Sequence, residues 1–245
     1  MAVLVTRPHP DGDTTATALR ARGFEVLQAP MLRFEPVVFR GDMDGRYGAV
    51  ILTSANALRG IEPRLKSHRL LELPLFAVGE QTAAAARQAG FTQVISAKGD
   101  AADLRDLVLA SVKAKQLKCA STLLYLAGAE MSRDLAGELG RHGLRVVTHA
   151  TYKMSPVADL PRDVCDAFAA NRIEAVLHYS QRSARAFIDA ARAAGVEISA
   201  LAVPQCCISA AVASVVRDAG AARVMVAESP DENALFRALD RALRP

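Results

Sequence analysis

The sequence predicts an α/β protein of two similar domains, each a parallel sheet covered by helices. Short apolar runs alternate with helical segments of about ten to fifteen residues, the order typical of parallel sheets. The chain has 245 residues, of which 51% are hydrophobic and 23% charged, so it can bury a sizeable core. The third observation is an internal repeat, since two kinds of segment each occur twice in the chain.

The longer repeat begins with an apolar run that ends in serine and leads into a helical pattern. Residues 49–58 correspond in this way to residues 175–184. In both copies a second apolar run and an alanine-rich helix follow, and these helices end at Gly90 and Gly220. A last short strand and an amphipathic helix complete each copy, so the longer repeat predicts three strands per domain.

The shorter repeat is a strand, a helix, a glycine and a second strand. One copy starts at residues 3–5 and has Gly23 after its helix, and the other starts at residues 123–126 and has Gly143. Each glycine lies where a helix needs a left-handed residue before the next strand.

Each domain is expected to combine one short and one long unit. The residue ranges are 1–31 plus 156–245 for a discontinuous domain, 37–147 for a continuous domain, and 29–36 and 148–155 for the linkers. The chain thus crosses between domains twice in opposite directions, so the linkers are predicted to pair as two antiparallel strands. Pro30, Pro36 and Pro156 near these crossings suit extended edge segments.

Composition excludes several classes of protein. The net charge is +4, and the chain has no tryptophan and no dense block of Lys and Arg, so nucleic-acid binding is not expected. No apolar run reaches the roughly 18–20 residues of a membrane span. The apolar N-terminus, residues 1–5, is too short for a signal peptide and is interpreted as a first strand. We therefore expect a cytoplasmic protein with no membrane partner, and nothing demands more than a monomer.

The cysteines and histidines do not indicate a metal or a disulfide framework. The chain has four cysteines and five histidines, no Cys-x-x-Cys, and no spacing typical of zinc ligands. The cysteines are Cys119, Cys165, Cys206 and Cys207. The last two lie in an apolar run and are predicted to be buried as small hydrophobic residues.

Small or hydroxylated residues follow most predicted strands and open the next helix, which is where parallel α/β sheets bind ligands. The candidates are Thr6, Arg7, Thr53, Ser54, Asn56, Gly79, Thr82, Ser180 and Ser183. Helix N-termini offer unpaired amides to an anion, although the same residue types are ordinary helix caps, so only the whole set indicates a ligand. The phosphate-binding motifs of nucleotide enzymes are absent from the sequence.

Three single residues are candidates for chemistry. Tyr152 lies on the second crossing, where its phenol could donate a proton to a leaving hydroxyl, orient a ligand, or pack at a domain junction. Arg7 follows the first strand and is the best candidate for binding a carboxylate. His178 is either a general base or a hydrogen-bonded structural histidine.

Four segments together resemble the uroporphyrinogen-III synthase family. They read VTRP at 5–8, VILTSANA at 50–57, AVGEQTA at 77–83 and ATY at 150–152, and they occur in the family's order over nearly the whole chain. The resemblance implies two α/β domains joined by a two-stranded ladder, with an active site in the cleft between them. It also implies cyclisation of hydroxymethylbilane, a linear tetrapyrrole with eight carboxylates, to uroporphyrinogen III with loss of water and no cofactor.

The resemblance also assigns roles to residues. It implies that Tyr152 is catalytic, and that the substrate-binding loops contain Thr53, Ser54, Asn56, Gly79, Thr82, Ser180 and Ser183. A transient contact with the preceding enzyme of tetrapyrrole biosynthesis is a further expectation. Residues 208–213 depart from the family pattern because a glycine and threonines are replaced by serine, alanine and valine. The alternative hypothesis is a non-catalytic protein of the same fold that binds an acidic ligand or regulates a partner.

Overall fold

The computed structural model describes residues 1–38, 45–61, 65, 69–118, 120–131 and 133–244, and Cys119 lies outside them. Its contacts divide the chain into two compact units. The first unit is Met1–Phe34 with Ser155–Pro245, and the second unit is Glu35–Met154. No helix among the described residues is long and apolar enough to span a membrane.

Strands and helices alternate along almost the whole chain. The first elements are β1 (Ala2–Val5), α1 (Asp11–Ala21), β2 (Glu25–Gln28) and β3 (Leu32–Pro36). There follow β4 (Tyr47–Leu52), α2 (Asn56–Arg59), a 3-10 turn (Arg69–Glu72), β5 (Leu75–Ala77), α3 (Glu80–Gln88), β6 (Val94–Ser96), α4 (Ala101–Lys113), β7 (Thr122–Gly128), α5 (Leu135–Gly140) and β8 (Arg145–Pro156). The last elements are α6 (Arg162–Ala169), β9 (Ile173–His178), α7 (Gln181–Ala193), α8 (Glu197–Ala202), β10 (Gln205–Cys207), α9 (Ala210–Asp218), β11 (Val224–Val226) and α10 (Glu232–Leu243).

The two sheets have the same strand order apart from one added edge strand. The first unit's sheet has the order β11-β10-β9-β1-β2, and the second has β3-β8-β7-β4-β5-β6. Read from β6 to β8, the second order repeats the first strand by strand, and these neighbours are parallel. The predicted fold class, parallel sheets covered by helices, is confirmed.

The central strands are largely apolar and buried because helices cover both faces of each sheet. All four residues of β1 are buried, as are the last four of β4. Alternate residues of β7 enter different cores: Leu124 and Leu126 pack in one cluster, and Leu123 and Tyr125 in another. Gly23 and Gly143 both have positive φ, as the shorter repeat predicted.

The edge strand β3 pairs with β8, and both strands cross a unit boundary. Val37 N donates to Thr151 O over 2.9 Å, and Val157 N donates to Met31 O over 3.0 Å, so the pair is antiparallel. The structure shows β8 as one strand of twelve residues, whereas the sequence predicted a domain strand and a separate linker strand. The strand continues because residues 145–155 include four β-branched residues and no glycine or proline.

Candidate active site

A cavity of about 220 Å³ lies at the carboxyl end of the second unit's sheet. Its wall includes Thr53, Ser54, Tyr125, Gly128, Arg133 and Tyr152. Thr53 and Ser54 directly follow β4, and Gly128 is the last residue of β7. The cavity therefore occupies the edge where parallel α/β sheets bind ligands, and it joins three of the predicted site residues, Thr53, Ser54 and Tyr152.

A local irregularity between β7 and β8 positions Tyr152. The register shifts between Ala127 and Gly128, which places Gly128 opposite Tyr152. Ala129 N then donates to Tyr152 O over 2.8 Å. A Cβ atom on Gly128 would lie 3.0 Å from Tyr152 Cζ and 3.1 Å from its hydroxyl oxygen. Glycine is thus needed here so that the phenol can lie against the end of β7.

The backbone before Tyr152 is fixed by buried contacts. Thr151 is completely buried, and its hydroxyl donates to Ala57 O over 2.9 Å. Gly60 approaches so closely that a Cβ atom there would lie 2.1 Å from Thr151 O. The turn of α2 and the strand β8 therefore hold the position of the Tyr152 backbone from one side.

Hydroxyl groups from β7 and from the loop that follows β4 meet at the cavity wall. Thr53 Oγ1 lies 3.0 Å from the hydroxyl oxygen of Tyr125, which sequence reasoning did not single out. Tyr125 is 3% exposed, and burial raises its pKa. Ser54 Oγ accepts a hydrogen bond from Asn56 N over 3.2 Å. The sequence signal for Tyr125 was a single phenol in an otherwise aliphatic strand.

Asn56 is held by its own unit. Its side-chain oxygen accepts a hydrogen bond from the Arg59 guanidinium, and its amide nitrogen lies 3.9 Å from Met154 Sδ. The cavity wall, as far as the described residues form it, does not include Asn56. Its predicted role in substrate binding stays a prediction.

The loop of Gly79 and Thr82 leaves the start of α3 without a side-chain cap among the described residues. Gly79 has extended backbone geometry, and a Cβ atom added to it would meet no atom within 4 Å. Thr82 is 6% exposed on the first turn of the helix. The amides at this N-terminus are thus compatible with an anionic ligand, although neither residue belongs to the described cavity wall.

Arg133 in the cavity wall is paired with a carboxylate that does not belong to the wall. Arg133 donates two hydrogen bonds to Glu138, over 2.7 and 2.8 Å, and Arg105 donates a third over 3.2 Å. The bonds from Arg133 hold the pKa of Glu138 below its ordinary value. Asp100 caps the start of α4 by accepting from Ala102 N and Asp103 N. These amides are therefore already occupied, unlike those at the start of α3.

In the first unit, Arg7 lies inside a network of side chains. Its guanidinium donates to Thr15 and to Glu232, each over 3.2 Å, and lies over the Tyr179 ring, 4.7 Å from the centroid. Asp11 is a further ion-pair partner at 3.4 Å. The Tyr179 hydroxyl also donates to Glu232 over 3.1 Å, and burial raises the pKa of this phenol. A substrate carboxylate would therefore have to compete with two carboxylates for Arg7.

The other predicted residues of the first unit take part in local hydrogen bonds. The buried hydroxyl of Thr6 donates to Leu177 O over 2.8 Å. Ser180 caps α7 by accepting from Ser183 N over 3.1 Å, and the two serine hydroxyl oxygens lie 2.8 Å apart. Ser209, in the segment that departs from the family pattern, caps α9 through Val212 N at 3.4 Å. A serine cap thus occupies N-terminal amides at the starts of α7 and α9, whereas no side chain caps the start of α3 among the described residues.

The two adjacent cysteines are buried, and the described residues form no cluster that could hold a metal ion. No group of three or more His, Cys, Asp or Glu side chains with metal-binding geometry occurs among the described residues. Cys206 and Cys207 are completely buried, as predicted, and burial raises the pKa of both thiols to about 12. These two cysteines remain protonated near neutral pH and pack as small apolar residues.

Comparison with protein families gives one match over most of the chain. The family model described as uroporphyrinogen-III synthase HemD matches residues 13–237. A search of curated proteins gave no significant match.

Two solved structures share the fold. Uroporphyrinogen-III synthetase from Helicobacter pylori is 17% identical, with a TM-score of 0.66 and 99% of each chain covered. A mutant uroporphyrinogen III synthase from the extremely thermophilic bacterium Thermus thermophilus is 15% identical, with a TM-score of 0.58 and 99% of each chain covered. At these identities the likeness concerns the arrangement of the backbone.

Proposed function

The chain belongs to the uroporphyrinogen-III synthase family, and on this premise we propose that it cyclises hydroxymethylbilane to uroporphyrinogen III. In this reaction the terminal C–O bond breaks and the hydroxyl leaves as water. The far pyrrole ring attacks at its substituted carbon, and rearrangement through a spiro intermediate inverts that ring. The proposed enzyme is thus a cyclising hydro-lyase of tetrapyrrole biosynthesis that needs no cofactor.

The observation that carries the proposal is the position of Tyr152 at the wall of the second unit's cavity. Its phenol lies beside Gly128 and shares the cavity with the hydroxyls of Thr53 and Ser54. A neutral phenol can give its proton to the departing hydroxyl, and neighbouring hydroxyls can orient that group by hydrogen bonds. We assign proton donation to Tyr152 and orientation to Thr53 and Ser54.

Positioning of the substrate contributes more to this reaction than any single side chain. Orientation in an intramolecular reaction can lower the activation barrier by about 7–11 kcal/mol. A general acid raises the rate by about 10²–10⁴-fold, which corresponds to a smaller lowering of the barrier. The linear substrate also cyclises unaided to the type I isomer, in which the last ring is not inverted. The central task of the protein is therefore to present the substituted carbon of that ring.

The remaining predicted contacts form part of the proposal. We assign binding of substrate carboxylates to the amides of the Gly79–Thr82 loop, which no side chain caps among the described residues. Thr6, Arg7, Asn56, Ser180 and Ser183 are proposed as further substrate-binding residues. Arg7 would have to exchange Asp11 or Glu232 for a substrate carboxylate.

The proposal is tested with an isomer assay. The linear tetrapyrrole is generated in situ, this protein is added, and the products are oxidised and separated into type I and type III porphyrins. The proposed enzyme diverts the product from type I to type III in proportion to its concentration. Heat-unfolded protein is the control. An unchanged type I product with native protein would instead support the non-catalytic alternative, a protein that binds an acidic ligand or regulates a partner.

A further inference from the structure

Tyr125 places a hydroxyl where a phenylalanine would fill the same space. It lies on β7, and its ring packs in a cluster with Ile51, Phe76 and Leu104. The residue is 3% exposed, so the protein bears the cost of burying a phenol. Buried tyrosine hydroxyls usually have a hydrogen-bond partner, and here the partner is Thr53 Oγ1 at 3.0 Å.

Tyr125 lines the cavity at the carboxyl end of the second unit's sheet. Tyr125, Thr53 and Tyr152 all line the 220 Å³ cavity. Burial raises the pKa of Tyr125, and negative charge on Tyr152 raises it further. The Tyr125 phenol therefore stays protonated and remains a hydrogen-bond donor when Tyr152 gives up its proton.

The direction of the hydrogen bond between Tyr125 and Thr53 decides whether the Thr53 hydroxyl can donate to a group in the cavity. When the phenol donates to Thr53 Oγ1, the threonine hydroxyl keeps its own proton for another acceptor. When Tyr125 is replaced by phenylalanine, Thr53 loses this fixed orientation and its hydroxyl rotates among the acceptors nearby.

Resting on the proposed function, we propose that Tyr125 is a positioning residue that acts through Thr53. Its phenol donates to Thr53 Oγ1 and turns the Thr53 proton toward the oxygen that leaves the substrate. Tyr152 transfers its proton to that oxygen, the C–O bond breaks with its electron pair on oxygen, and water departs. The Thr53 hydroxyl donates a hydrogen bond to the same oxygen throughout this step and is not consumed.

The experiment measures kcat and KM for type III formation in Tyr125→Phe, Thr53→Val and the double variant. We expect kcat to fall about tenfold in each single variant and KM to stay within about twofold, because the bond acts on the leaving group. The kcat of the double variant should not fall below that of the less active single variant, since both changes remove the same interaction. Thr53→Ser keeps a hydroxyl and should restore most of the activity.

The matched control is Tyr47→Phe, which removes a phenol from the other end of β4 and should leave kcat unchanged. Wild-type kcat in Tyr125→Phe would overturn the inference, as would fully multiplicative losses in the double variant. If Tyr125→Phe does not fold, equal kcat in wild type, Thr53→Val and Thr53→Ser overturns it as well. Wild-type protein that forms no type III product would refute the proposed function and with it this inference, an outcome distinct from an active wild type with an equally active Tyr125→Phe.

Discussion

The hydrogen bonds around His178 fix the tautomer of a completely buried imidazole. Gln205 Nε2 donates to Ala200 O over 2.7 Å and to Val203 O over 2.8 Å, so both of its protons are used. Gln205 Oε1 must then accept from His178 Nε2, which lies 2.8 Å away. His178 Nδ1 is left as a buried acceptor with no hydrogen-bond partner among the described residues. His178 is therefore a structural residue with no access to substrate.

Because burial lowers the pKa of His178 to about 4 from its ordinary 6.5, this residue makes stability depend on pH. The unfolded chain takes up a proton near pH 6.5 and the folded protein near pH 4. The stabilising contribution is thus complete above pH 6.5 and declines as the pH falls to 4. At 1.36 kcal/mol per pKa unit, its loss amounts to about 3 kcal/mol.

Urea unfolding of the wild type and His178→Gln at pH 7, 5.5 and 4 measures this effect. Between pH 7 and pH 4 the free energy of unfolding should fall by about 3 kcal/mol less in His178→Gln than in the wild type. His142→Gln changes an exposed histidine and should follow the wild type. Parallel curves for wild type and His178→Gln would contradict the assignment.

Replacing Tyr152 by phenylalanine tests the balance between positioning and proton donation. Tyr152→Phe keeps the ring beside Gly128 and removes only the proton donor. We expect kcat to fall about 10²–10⁴-fold, KM to change little, and type III product to remain measurable above the uncatalysed background. Complete loss of type III product with intact circular dichroism would show that the phenol outweighs positioning.

Sequence could identify single residues only where their partners are near in the chain or follow from the repeat. The hydroxylated loops after β4 and β9 followed from the carboxyl-end rule. By contrast, Glu232, one of the partners of Arg7, lies 225 residues further along the chain. In the sequence Tyr125 looks like any aromatic residue of the core. Its hydrogen bond with Thr53 depends on the register between β4 and β7, which the sequence does not show.

At the scale of elements, the shifted register at the end of β7 determines where Tyr152 lies. A Cβ atom at position 128 would be closer to the phenol than ordinary van der Waals contact allows. Gly128→Ala therefore has to displace the ring by a few tenths of an ångström or more. The strand pairing itself needs no change, because Ala129 still donates to Tyr152 O.

Gly128→Ala should lower kcat for type III formation about tenfold, since displacement of a catalytic group by about 1 Å can cost up to about 10²-fold. The free energy of unfolding should change by less than about 1 kcal/mol. Gly140→Ala is the matched control, because a Cβ atom there meets nothing within 4 Å. Equal kcat in both variants would show that the phenol tolerates displacement.

The repeat made the order of elements predictable, while their exact ends depended on pairing. The glycines after α1 and α5 and the alternation of strands and helices were visible in the chain. The length of β8 was not, because its residues beyond 147 pair with β7 as far as Tyr152 and with β3 on the other side, and both pairings form only in the folded sheet. A propensity for extended structure does not reveal which strand supplies the partner.

At the scale of the whole molecule, each unit has its own apolar cores. Phe76 packs with β4, β7 and α4 residues of the second unit, and Phe187 packs with α6, α7 and β9 residues of the first. Both side chains are almost completely buried, at 1% and 0% exposure. Each unit should therefore lose stability through its own core, although the first unit is built from two separate stretches of chain.

Phe76→Ala and Phe187→Ala form a reciprocal test of this independence by amide hydrogen exchange. Each change should cost about 3–5 kcal/mol, enough to speed exchange more than roughly 100-fold in the affected sheet. Phe76→Ala should accelerate amide exchange in β4 and β7 and leave the exchange rates of β1 and β9 within about threefold of the wild type. Phe187→Ala should do the reverse. Because the second unit is continuous between Glu35 and Met154, its opening leaves both stretches of the first unit paired through β1 and β9. Equal acceleration of both sheets by either variant would mean that the units unfold as one.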